Sequence, residues 1–365
     1  MNDVAIVRSS YHTAEEQIRE ALRLLDWRPQ HDKILLKPNL VTVPRWLPIG
    51  GSPGAIITNL RFIEALLRVF EGHKITIAEG ALAGCDTGAI LEQTGVVALA
   101  RKYGAQVASL DRAERFELPW AFGTLRLPIL LQTHEYINVP KLKTHLQTGV
   151  SLGCKNQKGL LSSAAKMSFH RKLDLHAAIW ALADAVQPAL TIVDGIVGLD
   201  GPGPTMGRER YPGLIVAGRD MRAVDVACCD LISIPLERVP HLERVPYRTL
   251  GCAVEDVRLR FDLPADPRVA NVHIHAAPNA CSRCMQSMND GQVALWRSPY
   301  HVLRGTWNCI LKRTDLIMGE MEDIPPAARG RLVCYGDCTC KLAEKHGLRF
   351  IPGCPPSVGE HMKMY

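Results

Sequence analysis

The chain has 365 residues, 47% of them hydrophobic and 22% charged, with a formal net charge of +6. At roughly 150 residues per domain, that length predicts two to three domains, or fewer if one is a large α/β sheet. The composition excludes a disordered, collagenous or coiled-coil chain, no apolar run approaches the ~18 residues of a membrane helix, and the charge is too small to argue for nucleic acid. Met1-Asn2-Asp3-Val4 carries neither a basic n-region nor an apolar h-region. No signal peptide is therefore expected, and the cytoplasm is.

In chain order, six β-branched or apolar runs precede Gly, Pro or Asn signals and read as buried strands. They are Val4-Ala5-Ile6-Val7, Ile34-Leu35-Leu36, Ile75-Thr76-Ile77-Ala78, Tyr136-Ile137-Asn138-Val139, Leu190-Thr191-Ile192-Val193 and Leu214-Ile215-Val216-Ala217. A helix is predicted from Thr13, where Glu16 completes a capping box and Ala14, Ile18, Ala21, Leu22 and Leu25 share a face. Others run from about Leu60 to Phe70, and from Asp174 as N-cap to Val186, ahead of Pro188. In a further run, Ala223 to Ile232, Cys228 and Cys229 read as core. Strands alternating with helices predict an α/β fold with a doubly wound, mostly parallel sheet. The stretch Leu263-Pro264-Ala265-Asp266-Pro267 marks a hinge between an α/β domain over 1–265 and a Cys-rich segment over 266–365.

In such sheets chemistry gathers in loops beyond the carboxyl ends of the strands. Lys37-Pro38-Asn39, Glu79-Gly80, Pro140-Lys141-Leu142-Lys143-Thr144-His145 and Asp194-Gly195 each follow a predicted strand, so a shared cleft is expected. The positive charge is local too: between Glu135 and Asp174 no acidic residue offsets Lys141, Lys143, Lys155, Lys158, Lys166, Arg171 and Lys172. That run reads as a pocket for an anion or a face for an acidic partner, with a solvated basic loop as the plain alternative. Only Phe169 is aromatic between Lys141 and Lys172, so single-stranded nucleic acid is not expected.

Lys155-Asn156-Gln157-Lys158-Gly159 follows a Gly-bearing stretch and would offer N–H groups and ammonium heads to an anion, although the Walker A spacing is absent. Gly201-Pro202-Gly203-Pro204 reads as a stiff turn over the cleft. Asp194 suits a general acid or base, a metal ligand or a cap, and His145, His170 and His176 are candidate proton donors.

Seven of the twelve cysteines crowd the C-terminal 85 residues. Cys281-Ser282-Arg283-Cys284 is a CxxC, Cys354 is followed by proline, and Cys338 lies between them. Four thiolates from Cys281, Cys284, Cys338 and Cys354 would suit an iron–sulfur cluster or structural zinc, and the single CxxC favours the cluster. Cys309, Cys334 and Cys340 are spare candidates.

The motifs from Ile34 to Val41, from Asn138 to His145, from Gly153 to Gly159, from Ile192 to Gly195, from Gly201 to Pro204 and from Ala223 to Asp225 together resemble the domain-of-unknown-function family 362. The resemblance spans most of residues 1–235. The tail, with Gly336-Asp337-Cys338 and Gly353-Cys354-Pro355-Pro356, is similar to members that carry a cysteine-bound iron–sulfur site there. It lacks the C-x2-C-x2-C-x3-C-P run of members with a ferredoxin module. The resemblance implies an iron–sulfur protein and does not name a reaction.

The expected function is an oxygen-sensitive [4Fe-4S] oxidoreductase acting on a small anionic organic substrate. Lys37, Lys141, Lys143, Lys155 and Lys158 would neutralise that substrate beside Asn39, Asn156 and Gly159, while His145, Asp194 and Asp225 move protons. Four cysteines leave a cluster able only to pass electrons, whereas three would leave an open iron for dehydration. A second reading is a non-catalytic electron-transfer or cluster-handling protein docking an acidic donor such as ferredoxin, and a third is a structural zinc protein.

Overall fold

The computed structural model describes residues 1–41, 53–82, 85–205, 207–263, 268–269, 271–277, 280, 284, 287–288, 291 and 313–363. Cys281, Cys309 and the side chain of His170 lie outside the described residues. The chain divides into two compact units, Met1–Pro264 and Ala265–Tyr365.

In the first unit the apolar runs form strands β1 (Asn2–Arg8), β2 (Lys33–Pro38), β3 (Lys74–Glu79) and β4 (Gln106–Ser109), then a hairpin of β5 (Arg115–Trp120) and β6 (Gly123–Pro128). They continue as β7 (Glu135–Val139), β8 (Lys141–His145), β9 (Gly149–Ser151), β10 (Leu190–Asp200), β11 (Arg208–Arg210), β12 (Leu214–Gly218) and β13 (Tyr247–Gly251). The main sheet runs β13-β1-β12-β10-β7-β2-β3-β4, and the five strands from β10 to β4 are parallel. Period-two alternation splits each strand between two cores. Ala5 and Val7 pack with the helices Ala14–Leu24 and Leu60–Val69, whereas Val4 and Ile6 pack with Leu175–Ala185 and Met221–Ile232, which makes the sheet doubly wound.

Three local expectations change. Thr13 caps nothing, because its hydroxyl oxygen accepts from the Ser10 N–H at 3.0 Å instead of an N–H of its helix. Pro140-Lys141-Leu142-Lys143-Thr144-His145 is not a loop: after Pro140 the chain resumes as β8, which pairs with β9 and with β10. Asp194 is likewise inside a continuous β10 and not beyond its end, because antiparallel pairing to β12 carries the strand past Asp194. Asp174 does cap its helix, accepting from the Ala177 N–H at 2.7 Å.

The order of the strands places the site. From β2 the chain winds outward through β3 to β4, then returns to β7 on the other side of β2. The crevice at such a reversal is where open α/β sheets bind ligands, and here it lies beyond the paired ends Lys37–Asn138 and Pro38–Val139.

The second unit carries a sheet of its own that the cysteine pattern did not announce. Its order is β14 (Arg268–Val269), β15 (Val272–Ala276), β16 (Thr314–Met318), β17 (Arg331–Tyr335) and β18 (Arg349–Ile351), parallel from β15 onward. No helix among the described residues is long and apolar enough to cross a membrane.

Candidate functional site

Strand ends at the reversal bring four of the expected residues into one buried network. The Lys37 Nζ donates to Glu79 Oε1 at 2.7 Å, Asn156 Oδ1 at 3.0 Å and the Pro38 carbonyl at 3.1 Å, so all three N–H bonds of an ammonium are used. Asn39 Nδ2 shares the same Asn156 Oδ1 at 3.1 Å, and Asn156 Nδ2 donates to Asn138 Oδ1 at 2.8 Å. Glu79 is held in turn by the N–H groups of Leu40 at 2.8 Å and Gly80 at 2.9 Å. Gly159 closes the network from above, since a Cβ there would lie 2.5 Å from both Glu79 Oε1 and Lys37 Cε. Only glycine lets the backbone approach so closely.

On β8, Lys141 is the register partner of Asp194 on β10, so the two side chains meet in an ion pair of 2.8 Å with neither exposed. Tyr11 bridges them, accepting from Lys141 Nζ at 3.0 Å and donating to Asp194 Oδ1 at 3.2 Å. Burial and the Asp194 charge hold that phenol protonated. Burial also lowers Lys37 and Lys141 from the ordinary lysine value, against the pull of Glu79 and Asp194.

The basic run is therefore not a solvated loop. Lys37, Lys141 and Lys143 are 0% exposed and Lys166 is 6% exposed, so they present no docking face to a protein partner. Most of their charge is met by carboxylates distant in sequence: Glu79 for Lys37, Asp194 for Lys141 and Asp111 for Lys166 at 2.9 Å.

Lys143 differs. Its acceptors among the described residues are neutral, Asn39 Oδ1 at 2.7 Å and the Ile56 carbonyl at 2.8 Å, which matches the two N–H bonds of an uncharged amine. Burial, with Lys141 adding repulsion, pushes it down to about 7. Unfolding returns it to about 10.4, so between those values the unfolded chain holds the extra proton and stability rises with pH, by at most about 1.4 kcal/mol per unit. Urea midpoints at pH 7, 8 and 9 are expected to show a rise that Lys143→Met lacks, and parallel curves for the two proteins would refute the neutral amine.

The Lys155-Asn156-Gln157-Lys158-Gly159 motif forms a short helix, Gly153–Asn156, running into a 3₁₀ turn, Gln157–Leu160. Just ahead of the motif, the first N–H groups of the helix, those of Gly153 and Cys154, donate to Asp225 at 2.8 Å each. Asp225 thus fixes this helix from behind and does not enter the Lys37 or Asp194 clusters. Burial raises it to about 7 against those two bonds. His145 is buried at the end of β8, where its Nδ1 accepts from the Gln147 N–H at 3.1 Å, which puts the proton of a neutral ring on Nε2. Lys158 lies over the Phe169 ring at 5.8 Å. The Gly201-Pro202-Gly203-Pro204 turn packs on β8, where Thr144 donates to the Gly201 carbonyl at 2.7 Å.

In the second unit two of the expected thiols, those of Cys284 and Cys338, meet beside Gly336 at the carboxyl end of β17, and the backbone next to Cys354 adjoins them. Gly336 follows β17 at φ +95°, and a Cβ there would stand 3.0 Å from Cys284 Sγ, 3.8 Å from Cys338 Sγ and 3.6 Å from the carbonyl oxygen of Gly353. The turn is laced to the Cys354 segment: Gly336 N–H donates to the Ile351 carbonyl at 2.9 Å, Asp337 N–H to that of Gly353 at 3.0 Å, and Gly353 N–H to Asp337 Oδ1 at 2.6 Å. Two sulfurs face one point that a side chain would fill, and Cys354 adjoins it. This donor set fits a thiolate-bound metal group, although no three His, Cys, Asp or Glu among the described residues stand together as a finished metal site. Cys340 is deployed elsewhere, its thiol donating to Glu344 Oε1 at 3.3 Å one helical turn on. Cys334 is buried in β17 and burial raises its thiol.

Fold and site together define a doubly wound α/β protein with a lysine-rich network at its strand reversal and a second parallel sheet bearing converging cysteines. The chain matches the model of a domain of unknown function, DUF362, over residues 34–230, more than half its length, and it belongs to that family. It is also similar to the thylakoid-associated protein sll1697 of Synechocystis sp., 28% identical over 241 residues that make up 64% of this chain and 72% of the relative. The family match contains Lys37, Asn39, Glu79, Lys141, Lys143, Asn156 and Asp194, leaves out Tyr11, and stops before the C-terminal cysteines.

Sequence reasoning missed Tyr11 and Asp111, which reach their lysines from positions that no motif marks. Glu79 was expected at the shared cleft and Asn138 opens one of the family motifs, but neither was given a role.

Proposed function

We propose that this protein is an oxygen-sensitive oxidoreductase that holds a [4Fe-4S] cluster on Cys281, Cys284, Cys338 and Cys354 and acts on a small anionic organic substrate in the cytoplasm. The observation that supports it most is the meeting of Cys284 Sγ and Cys338 Sγ over the side-chain-free face of Gly336, with Cys354 laced to the same turn. Iron is preferred to zinc because a single CxxC and a Cys-Pro follow the iron–sulfur pattern, whereas zinc ribbons carry paired CxxC motifs.

A bound cluster supplies one-electron transfer, with an acidic donor such as ferredoxin as the source. The chain's own residues do the rest. Lys155 and Lys158 attract the substrate's charge, Lys143 at and above pH 7 takes up a proton on Nζ, and the Lys141–Tyr11–Asp194 group keeps the neighbouring strand ends in register.

Anaerobic purification with iron, sulfide and zinc analysis tests the proposal. About four irons per chain, a brown colour and bleaching by dithionite are expected. A colourless protein with one zinc would sink it in favour of a structural site, and recovery in the membrane pellet would overturn the cytoplasmic placement.

A further inference from the structure

Buried polar atoms are almost always hydrogen-bonded, so a side chain that is buried and unpaired marks a place where a ligand or water completes the set. Gln147 is such a side chain: among the described residues neither its amide nitrogen nor its amide oxygen has a partner, and both atoms are buried. Near it stands a second unpaired group. Lys155, half-buried, makes no hydrogen bond or ion pair among the described residues, in contrast to Lys37, Lys141 and Lys166 with their carboxylates.

The backbone brings these groups to one region. Gln147 sits in the turn between β8 and β9, which pair as a hairpin with His145 opposite Gly149. Gly149, at φ +70°, lets that turn press on the next segment, since a Cβ would meet the Arg238 carbonyl oxygen at 2.3 Å. That segment continues to His241, whose Nδ1 lies 3.1 Å from Nδ1 of His176, with the two rings stacked at 26°. The helix that carries His176, Leu175–Ala185, packs against the helix Gly153–Asn156 that carries Lys155, and the latter also packs against β9. Burial, with the charges of His176 and Lys155, pushes His241 down to about 3, so it lines the region as a neutral ring.

We infer that Gln147, Lys155 and the His176–His241 pair form a subsite for a small carboxylate that bears an adjacent hydroxyl. The inference deepens the anionic-substrate reading above and rests on it. Burial, with Lys158 and Lys143 adding repulsion, lowers Lys155 well below the ordinary lysine value in the empty site; an incoming carboxylate favours the protonated form, and the ammonium so formed meets it. The Gln147 amide presents a donor and an acceptor side by side, and whichever way the amide is turned, one of its atoms needs a donor from the ligand. A plain carboxylate has none to give. It would leave the amide oxygen buried and unpaired, whereas a hydroxycarboxylate satisfies both atoms, a difference worth roughly tenfold or more in affinity.

Two matched pairs of probes test this by calorimetric titration of the full, anaerobically purified chain: glycolate against acetate, and malate against succinate. The hydroxylated member of each pair is expected to bind about tenfold tighter. Gln147→Leu, which removes the unpaired amide at similar volume, should bring that ratio to about one while the unliganded melting temperature stays level or rises. Lys155→Met should weaken both members of each pair together. A ratio near one in the wild type, or a ratio unchanged in Gln147→Leu, overturns the subsite while anion binding itself leaves the broader reading standing. Wild type that binds none of the four overturns both.

Discussion

Cys338→Ser is expected to strip the chain of most of its iron, whereas Cys340→Ser leaves the iron in place. The two residues are two positions apart in sequence, so Cys340 is the spare candidate best placed to replace Cys338. Geometry separates them. Cys338 Sγ shares with Cys284 Sγ the point over Gly336, while Cys340 Sγ is bonded to Glu344 at 3.3 Å, a contact that also raises its thiol and so disfavours the thiolate a metal needs. Losing even an outer partner of a metal site costs on the order of 10- to 100-fold in affinity, and losing a ligand costs at least that. Iron per chain after anaerobic purification checks it, with Cys252→Ser as a neutral comparison. Iron retained in Cys338→Ser and lost in Cys340→Ser would reverse the assignment. Gly336→Ala should mimic the loss in part, because its Cβ would press on Cys284 Sγ at 3.0 Å and occupy the space in which the sulfurs meet.

Asp194→Ala is expected to cost the α/β unit about 3–5 kcal/mol, the usual penalty for leaving a buried charge without its partner. Asp194 accepts from Lys141 Nζ at 2.8 Å, from the Asn59 N–H at 2.9 Å and from Tyr11 at 3.2 Å, so the variant orphans a fully buried ammonium and a backbone donor together. Adding Lys141→Met removes the uncompensated charge and should restore much of the loss, which a simple packing defect at Asp194 would not allow. The sign of the pH effect is a second check. In Asp194→Ala, Lys141 enters the fold as a neutral amine and is charged only when unfolded, so the variant gains stability relative to wild type as pH rises from 7 towards 10. Urea unfolding of the full chain at pH 7 and 9 reads both effects. A loss below about 1 kcal/mol, or no recovery in the double variant, would show that the pair is not held as the structure has it.

Much of the architecture was legible in the residues themselves. Period-two runs such as Val4 to Val7 and the apolar face of Ala14, Ile18, Ala21 and Leu22 are local patterns, and local patterns determine elements and their order. They also carried the α/β class, the cap at Asp174 and the candidate residues Lys37, Asn39, Lys141, Asn156 and Asp194. What they could not determine is how charges cancel. Lys141 and Lys166 looked uncompensated along the chain, yet each meets a carboxylate 53 or 55 residues away, as Lys37 meets one 42 residues away, because strand order and register, not sequence distance, decide which side chains become neighbours. For the same reason β8 was read as a loop: its pairing partners on β10 and β9 exist only once the sheet is assembled. Composition and motif therefore determined which chemical groups this protein has. Tertiary structure alone decided that Lys37, Lys141 and Lys166 are spent on internal ion pairs, that Lys143 is left with neutral partners, and that Lys155 and Gln147 are left with none among the described residues, because burial makes an unpaired charge costly enough to dictate the packing around it.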